Sequence, residues 1–256
     1  MHPNRPLISC IMSTSGRAGY VEQAVDMFLR QDYARKELVI VYSRDGDIPA
    51  VQLPPAVRLV RTGTQVAGNK RNEACRHAQG LLICHWDDDG MYNDDRLRLQ
   101  AEPILSGQAE VTGLSAISAY DTATGRCMPL SGMAFAQLYG RVAGCSLMYH
   151  RHAWDRLSNY PNITGGEDAA YLQRIMKRGA RLLPLNGIDT YITLKQTTAT
   201  TQRPPTTLPE WAQRYATAYR NMGRPQPVAA PLTQVYAPPA LPRITSIEQG
   251  SCVPLG

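Results

Sequence analysis

The sequence predicts an α/β fold, a mostly parallel central sheet with helices on both faces, followed by a proline-rich C-terminal extension. Three observations support this. Short apolar runs alternate with helix-spaced segments through the first 100 residues, the pattern of an α/β layer. Three consecutive carboxylates follow the fourth of these runs, at the end of a strand where open α/β sheets bind ligands. Ten of the 19 prolines lie between Arg203 and Gly256, so the composition changes near residue 197. Residues 1–196 are therefore expected to form one domain, and 197–256 an extension with a single helix near 208–222.

Leu7 to Met12 is an apolar run ending in the turn signal Ser13-Thr14-Ser15-Gly16 and predicts the first strand. A helix fits Tyr20 to Arg30, with Val21, Ala24, Val25, Phe28 and Leu29 on one face. Leu38 to Tyr42 is continuously apolar, as a strand covered on both faces should be, and Arg58 to Arg61 fits a short third strand. A helix follows from Gly68 to Gln79, then a strand from Leu81 to Trp86, then a helix from Asp94 to Leu105 kinked near Pro103. The stretch from Val111 to Tyr149 reads as strands and loops with a turn at Thr124-Gly125. Gly165-Gly166-Glu167-Asp168 opens a helix running to Lys177, with two short strands after it near Leu182 and Tyr191. In the extension, Trp211, Tyr215 and Tyr219 recur at i, i+4, i+8 along a helix from Leu208 to Met222, a stripe suited to docking on the domain or on a second copy of the chain.

An apolar content of 43% with 19% charged residues can bury a sizeable core, which excludes wholesale disorder. No apolar run reaches the ~18 residues of a membrane span, and the run at Leu7 to Met12 is too short for a signal peptide, so a cytoplasmic location is expected. The six cysteines are scattered singly, which argues against a disulfide framework or a structural zinc. Residues 1–130 hold 14 basic and 15 acidic side chains, a net of −1, and the remainder holds 13 and 6, a net of +7. Arginine makes up 23 of the 27 basic residues and grips oxyanions bidentately, so an anionic partner suits the second half.

Asp87-Asp88-Asp89 is the most informative feature. Packing like charges costs free energy unless something positive neutralises them, and hard oxygen ligands suit Mg²⁺ or Mn²⁺, which in turn suit phosphates. Asn69-Lys70-Arg71-Asn72 opens a helix whose start should fall near the same sheet edge, where amides and cations bind phosphate. Gly166-Glu167-Asp168 opens another helix. There a carboxylate either caps the helix or acts as a general base towards a hydroxyl.

These pieces, taken in order with Pro6 to Met12, Phe28 to Tyr33, Lys36 to Val41, His85 to Tyr92, Asp95 to Leu97 and Gly144 to Tyr149, resemble a family 2 glycosyltransferase of the GT-A fold over residues 6 to 195. The resemblance implies inverting transfer of a sugar from a nucleotide-diphosphate donor, most simply a UDP-sugar, to an acceptor hydroxyl with Mn²⁺ or Mg²⁺. It implies that Asp87 and Asp89 are the ends of an Asp-x-Asp metal motif with Asp88 between them, and that Thr14, Arg17, Lys70 and Arg71 line the donor site. Asp168 would be the base and Glu167 would shape the acceptor site. Asp45 stands two residues beyond the family's usual acidic pair after the second strand and, with Asp88, is expected to contact the donor. Lys195-Gln196 replaces a metal-binding histidine, so Lys195 would bring positive charge to the diphosphate.

The acceptor is expected to be an anionic glycan or glycolipid intermediate, with a nucleic-acid base as a minority reading. The alternative from a different class is a non-catalytic nucleotide-sugar binding module. The triplet lacks the Asp-x-Asp-x-Thr arrangement of a phosphatase nucleophile, and no glycine-rich nucleotidyl loop follows the first strand.

Overall fold

The computed structural model describes residues 5–131, 142–195 and 207–222. In chain order the major elements are β1 (Ile8–Ser13), α1 (Ala18–Arg30), β2 (Lys36–Tyr42), β3 (Val57–Arg61), α2 (Ala67–His77), β4 (Leu82–His85), β5 (Gly90–Tyr92) and α3 (Arg96–Leu105). They continue with β6 (Val111–Asp121), β7 (Cys127–Ser131), β8 (Met148–His150), α4 (Glu167–Lys177), β9 (Leu182–Asn186), β10 (Tyr191–Lys195) and α5 (Glu210–Asn221). The sheet order is β3-β2-β1-β4-β8-β6-β10-β5, with β7 and β9 also paired to β6. The β3-β2-β1-β4 half is parallel throughout, and β8 joins it antiparallel to β4 and β6.

The continuous apolar runs of β1, β2 and β4 are explained by burial on both faces. Ile8, Cys10, Met12, Leu38, Ile40, Leu82 and Cys84 pack with α1, α3 and α5 on one side. Ile11, Val39, Val41 and Ile83 pack with α2 and α4 on the other. Each strand thus sends alternate side chains into two separate cores. Helix α3 runs through Pro103 to Leu105 rather than breaking at it. Pro103 lies two residues before the helix end, and its missing N–H removes the bond to the Leu99 carbonyl.

Helix α5 packs on this same domain: Ala212, Tyr215, Ala216 and Tyr219 are buried in the core that holds α1. Tyr215 donates to Asp26 at 2.7 Å, and the Tyr20 and Tyr219 rings are 5.0 Å apart. Among the described residues no helix is long and apolar enough to cross a membrane. Cys10, Cys75, Cys84, Cys127 and Cys145 are free thiols, and Cys252 lies outside the described residues.

Candidate active site

The carboxyl ends of β1 and β4 lie side by side because the two strands pair in register, Ile11 opposite His85. The chain leaving β1 therefore meets the chain leaving β4. Thr14 donates to Asp88 at 2.6 Å, and Arg17 Nη1 reaches Asp88 Oδ1 and Asp89 Oδ2, each at 2.9 Å. Asp88 is buried, which pushes its carboxyl pKa up to about 6 despite the Arg17 charge beside it. Burial also raises the pKa of Asp87, against the pull of Arg71. Leu194 in β10 donates its amide to the Asp89 carbonyl at 2.9 Å, so the backbone brings Lys195 next to the triplet's segment.

The start of α2 arrives at the same edge, since a helix returning from β3 begins where the parallel strands end. Lys70 Nζ donates to the Thr14 carbonyl at 2.7 Å, and burial lowers its pKa. Arg71, 6% exposed, places Nη2 3.0 Å from Asp87 Oδ1 and Nε 3.0 Å from Glu167 Oε1. One guanidinium thus joins the triplet to the start of α4. Its buried Nη1 has no partner among the described residues.

Gly165 and Gly166, at φ +84° and +75°, make two successive left-handed residues before α4. A side chain would strain both, which explains the glycine pair. Glu167 is buried and also accepts the Gly165 amide at 3.1 Å, so Arg71 and this turn immobilise it. Asp168 is the more open of the two acids. Its pKa is pushed up to about 6, chiefly by burial and then by Glu167. Its carboxylate rests against Gly144, where a Cβ would collide with Oδ2.

The structure gathers Thr14, Arg17, Lys70, Arg71, Asp87, Asp88, Asp89, Glu167 and Asp168 around one edge. Asp45 is not among them: it pairs with Arg61 at 3.2 Å on the surface, its side chain 83% exposed. Asp47, two residues on, takes the inward place and accepts the amides of Gly16 at 2.7 Å and of Ser43 and Arg44 at 2.9 Å. Burial alone would raise its pKa, but these hydrogen bonds outweigh it and the pKa is lowered. The Asp45-Gly-Asp47 spacing was the available signal. Tyr219 is a second residue that sequence reasoning assigned only to docking. It is fully buried and its hydroxyl approaches the Gly90 carbonyl, directly after the triplet.

The donor set suits a hard divalent cation in part. Asp89 keeps 40% of its side chain exposed and engages Arg17 through Oδ2, and Asp87 engages Arg71 through Oδ1. Among the described residues no three His, Cys, Asp or Glu side chains form a closed metal shell. A carboxylate pair that leaves most positions to phosphate and water is the usual arrangement for Mg²⁺ in phosphate chemistry.

Residues 9–127 match the family model described as glycosyl transferase family 2. That stretch, 119 of the 256 residues, is similar to a family 2 glycosyltransferase domain. The chain is 26% identical over 197 residues to TuaG of Bacillus subtilis (strain 168), a glycosyltransferase assigned to teichuronic acid biosynthesis, covering 71% of this chain and 77% of TuaG. Among solved structures, S. aureus TarS 1-349 superposes with a TM-score of 0.57 at 18% identity, covering 73% of this chain. The mannosyltransferase PcManGT from Pyrobaculum calidifontis, in complex with GDP-Man and Mn²⁺, gives 0.56 at 17% identity, covering 86% of this chain and 70% of PcManGT. TarS 1-349 is also known in complex with UDP and with UDP-GlcNAc. The chain spans 60% of the length of TarS 1-349. The architecture is that of GT-A glycosyltransferases.

Proposed function

We propose that this glycosyltransferase moves a sugar from a nucleoside-diphosphate donor to an acceptor hydroxyl with inversion at the anomeric carbon. The observation that carries the reading is the Arg71 bridge, which holds the carboxylates of the donor side and those of the acceptor side as one unit. The TarS complexes with UDP and UDP-GlcNAc favour a UDP-sugar donor. The likeness to TuaG and the net +7 of residues 131–256 favour an anionic glycan or glycolipid acceptor.

Asp168 is the base: its deprotonated carboxylate takes the acceptor proton as the new oxygen–carbon bond forms on one face of the sugar ring. The bond to the diphosphate breaks on the opposite face, and the leaving group keeps the electron pair. Mn²⁺ or Mg²⁺ held by Asp87 and Asp89 would supply neutralisation of that leaving group. Arg17 and Lys70 line the donor side, and Glu167 serves Asp168 by anchoring the start of α4 to Arg71.

Calorimetry with UDP, UDP-GlcNAc and GDP-mannose, with and without Mn²⁺, tests the donor site on the parent and on Asp89→Ala. Binding that requires Mn²⁺ and disappears in Asp89→Ala is expected. NMR of the product should give the anomeric configuration opposite to that of the donor, and a retained configuration would overturn the mechanism. Binding without any transfer or donor hydrolysis would favour a non-catalytic nucleotide-sugar module.

A further inference from the structure

We propose that His85 is a positioning residue for the base: it clamps the turn at Gly144, against which the Asp168 carboxylate rests. The inference rests on the reading of Asp168 given above. His85 ends β4 and is fully buried. Its Nδ1 lies 2.8 Å from the Gly144 carbonyl and its Nε2 lies 2.5 Å from the Tyr160 hydroxyl. A carbonyl only accepts, so Nδ1 carries the proton. Nε2 meets the Tyr160 hydroxyl, so both ring nitrogens are engaged and the ring is held from both sides.

Beyond the ring the contact continues through buried hydroxyls. The Tyr160 hydroxyl hydrogen-bonds the Tyr149 hydroxyl at 2.8 Å, and the Tyr149 hydroxyl lies 3.4 Å from the Cys75 thiol. This buried network runs from Cys75 in α2 to the Gly144 carbonyl and holds the histidine ring in place. The His85 backbone grips the far end of the same turn, its amide donating to the Leu147 carbonyl at 2.8 Å. Gln100 holds the Ser146 carbonyl at 2.8 Å. Gly144 is therefore held through its carbonyl and its turn, while the space a Cβ would need there is taken by the Asp168 carboxylate.

A turn that moves takes its contact surface for Asp168 with it, and misplacing a catalytic group by an ångström costs on the order of 100-fold in rate. A buried histidine that served packing alone would not require a donor at Nδ1. Two substitutions separate these roles. In His85→Asn the amide nitrogen falls near the position of Nδ1 and keeps the donor to Gly144. In His85→Gln the amide extends towards Tyr160 and the donor is lost.

Hydrogen exchange over residues 143–147 and Mn²⁺-supported hydrolysis of UDP-GlcNAc, which needs no acceptor, are measured on the parent and both variants, with a thermal melt of each. His85→Gln is expected to lose exchange protection in the turn and to lower kcat at least about tenfold, with donor KM within about twofold. His85→Asn should recover most of both. Where His85→Gln does not fold, His85→Phe keeps the ring volume without the donor and takes its place. Equal exchange protection in the parent and the donor-less variant would overturn the clamp whatever the activity. Equal losses in the Asn and Gln variants would reduce His85 to packing. A parent protein that turns over no donor would sink the reading of Asp168, and with it the catalytic part of this inference.

Discussion

Arg71 Nη2 stands 3.0 Å from Asp87 Oδ1, and this contact ties the second turn of α2 to the acidic triplet. The same guanidinium holds Glu167, so a single buried cation fixes the separation between two acidic groups that are 80 residues apart in the chain. A lysine has one point of charge and cannot span both carboxylates.

Arg71→Lys should therefore keep one contact and lose the other, and Arg71→Met should lose both. Removing one partner from a buried ion pair costs about 3–5 kcal/mol because the remaining charges are left uncompensated. Denaturant unfolding should show Arg71→Met as the less stable of the two. Stability equal to the parent's in Arg71→Met would mean that the carboxylates do not depend on the bridge.

Asp47 carries a comparable burden without being part of the chemistry. Asp47→Ala leaves three amides without their acceptor, at about 1–3 kcal/mol for each that stays buried and unsatisfied. The loop carrying Arg17 should loosen with it, weakening nucleotide binding in calorimetry. The folded-state pKa of Asp47 lies below its unfolded value, so its contribution is present above about pH 4 and fades as the pH falls through the native pKa. An acid-unfolding midpoint unchanged in Asp47→Ala would contradict this account.

Much of the architecture was legible because strands buried on both faces must be apolar without alternation, and β1, β2 and β4 are. The triplet, the α2 start and the Gly-Glu-Asp turn could each be recognised in the sequence, since charge beside a strand end or helix start is visible there. Other features were hidden for physical reasons. Strand β5 has three residues and no periodicity to detect. Asp45 and Asp47 differ only in which way a single turn points them, and hydrogen bonds to backbone amides decided it. His85 reads as an ordinary apolar-strand residue until the tyrosines that reach it from 64 and 75 residues away are in place. The aromatic stripe of α5 announced docking, but its target, α1 and the Gly90 carbonyl, depends on tertiary packing alone.

That packing yields a third prediction. Tyr219→Ala removes a fully buried ring that sits 5.0 Å from Tyr20, and a buried aromatic truncated to alanine costs about 3–5 kcal/mol. Truncation after Gln202 removes the whole helix and should destabilise the protein further. A melting temperature unchanged by truncation would show that α5 contributes nothing to the domain.

Gly144→Ala tests the wall of the base directly. The new Cβ would collide with Asp168 Oδ2, so the carboxylate must turn aside. Donor hydrolysis should lose most of its kcat, while nucleotide binding in calorimetry stays near the parent value, because the triplet and Arg71 are untouched. Weakened nucleotide binding with an intact kcat would place Gly144 on the donor side instead.

Asp168 itself should separate activity from stability. As a base it works ionised, so kcat should fall about tenfold per pH unit on the acid side of its pKa of about 6. Asp88 is pushed to a similar value, but Asp88→Asn should leave this acid limb in place if the limb belongs to Asp168. The folded-state pKa of Asp168 lies above its unfolded value, so the native state holds the proton more tightly than the unfolded chain, and ionisation above about pH 6 opposes folding. Asp168→Asn, inactive by loss of the base, should therefore be more stable than the parent at pH 8. The advantage should shrink as the pH falls through 6 and be mostly gone near 4, where the native carboxyl is protonated and the unfolded one about half so. Thermal melts of the two proteins from pH 4 to pH 8 provide the check. A variant that is less stable than the parent at pH 8 would mean that the ionised carboxylate is held by favourable contacts rather than kept at the cost of its burial beside Glu167.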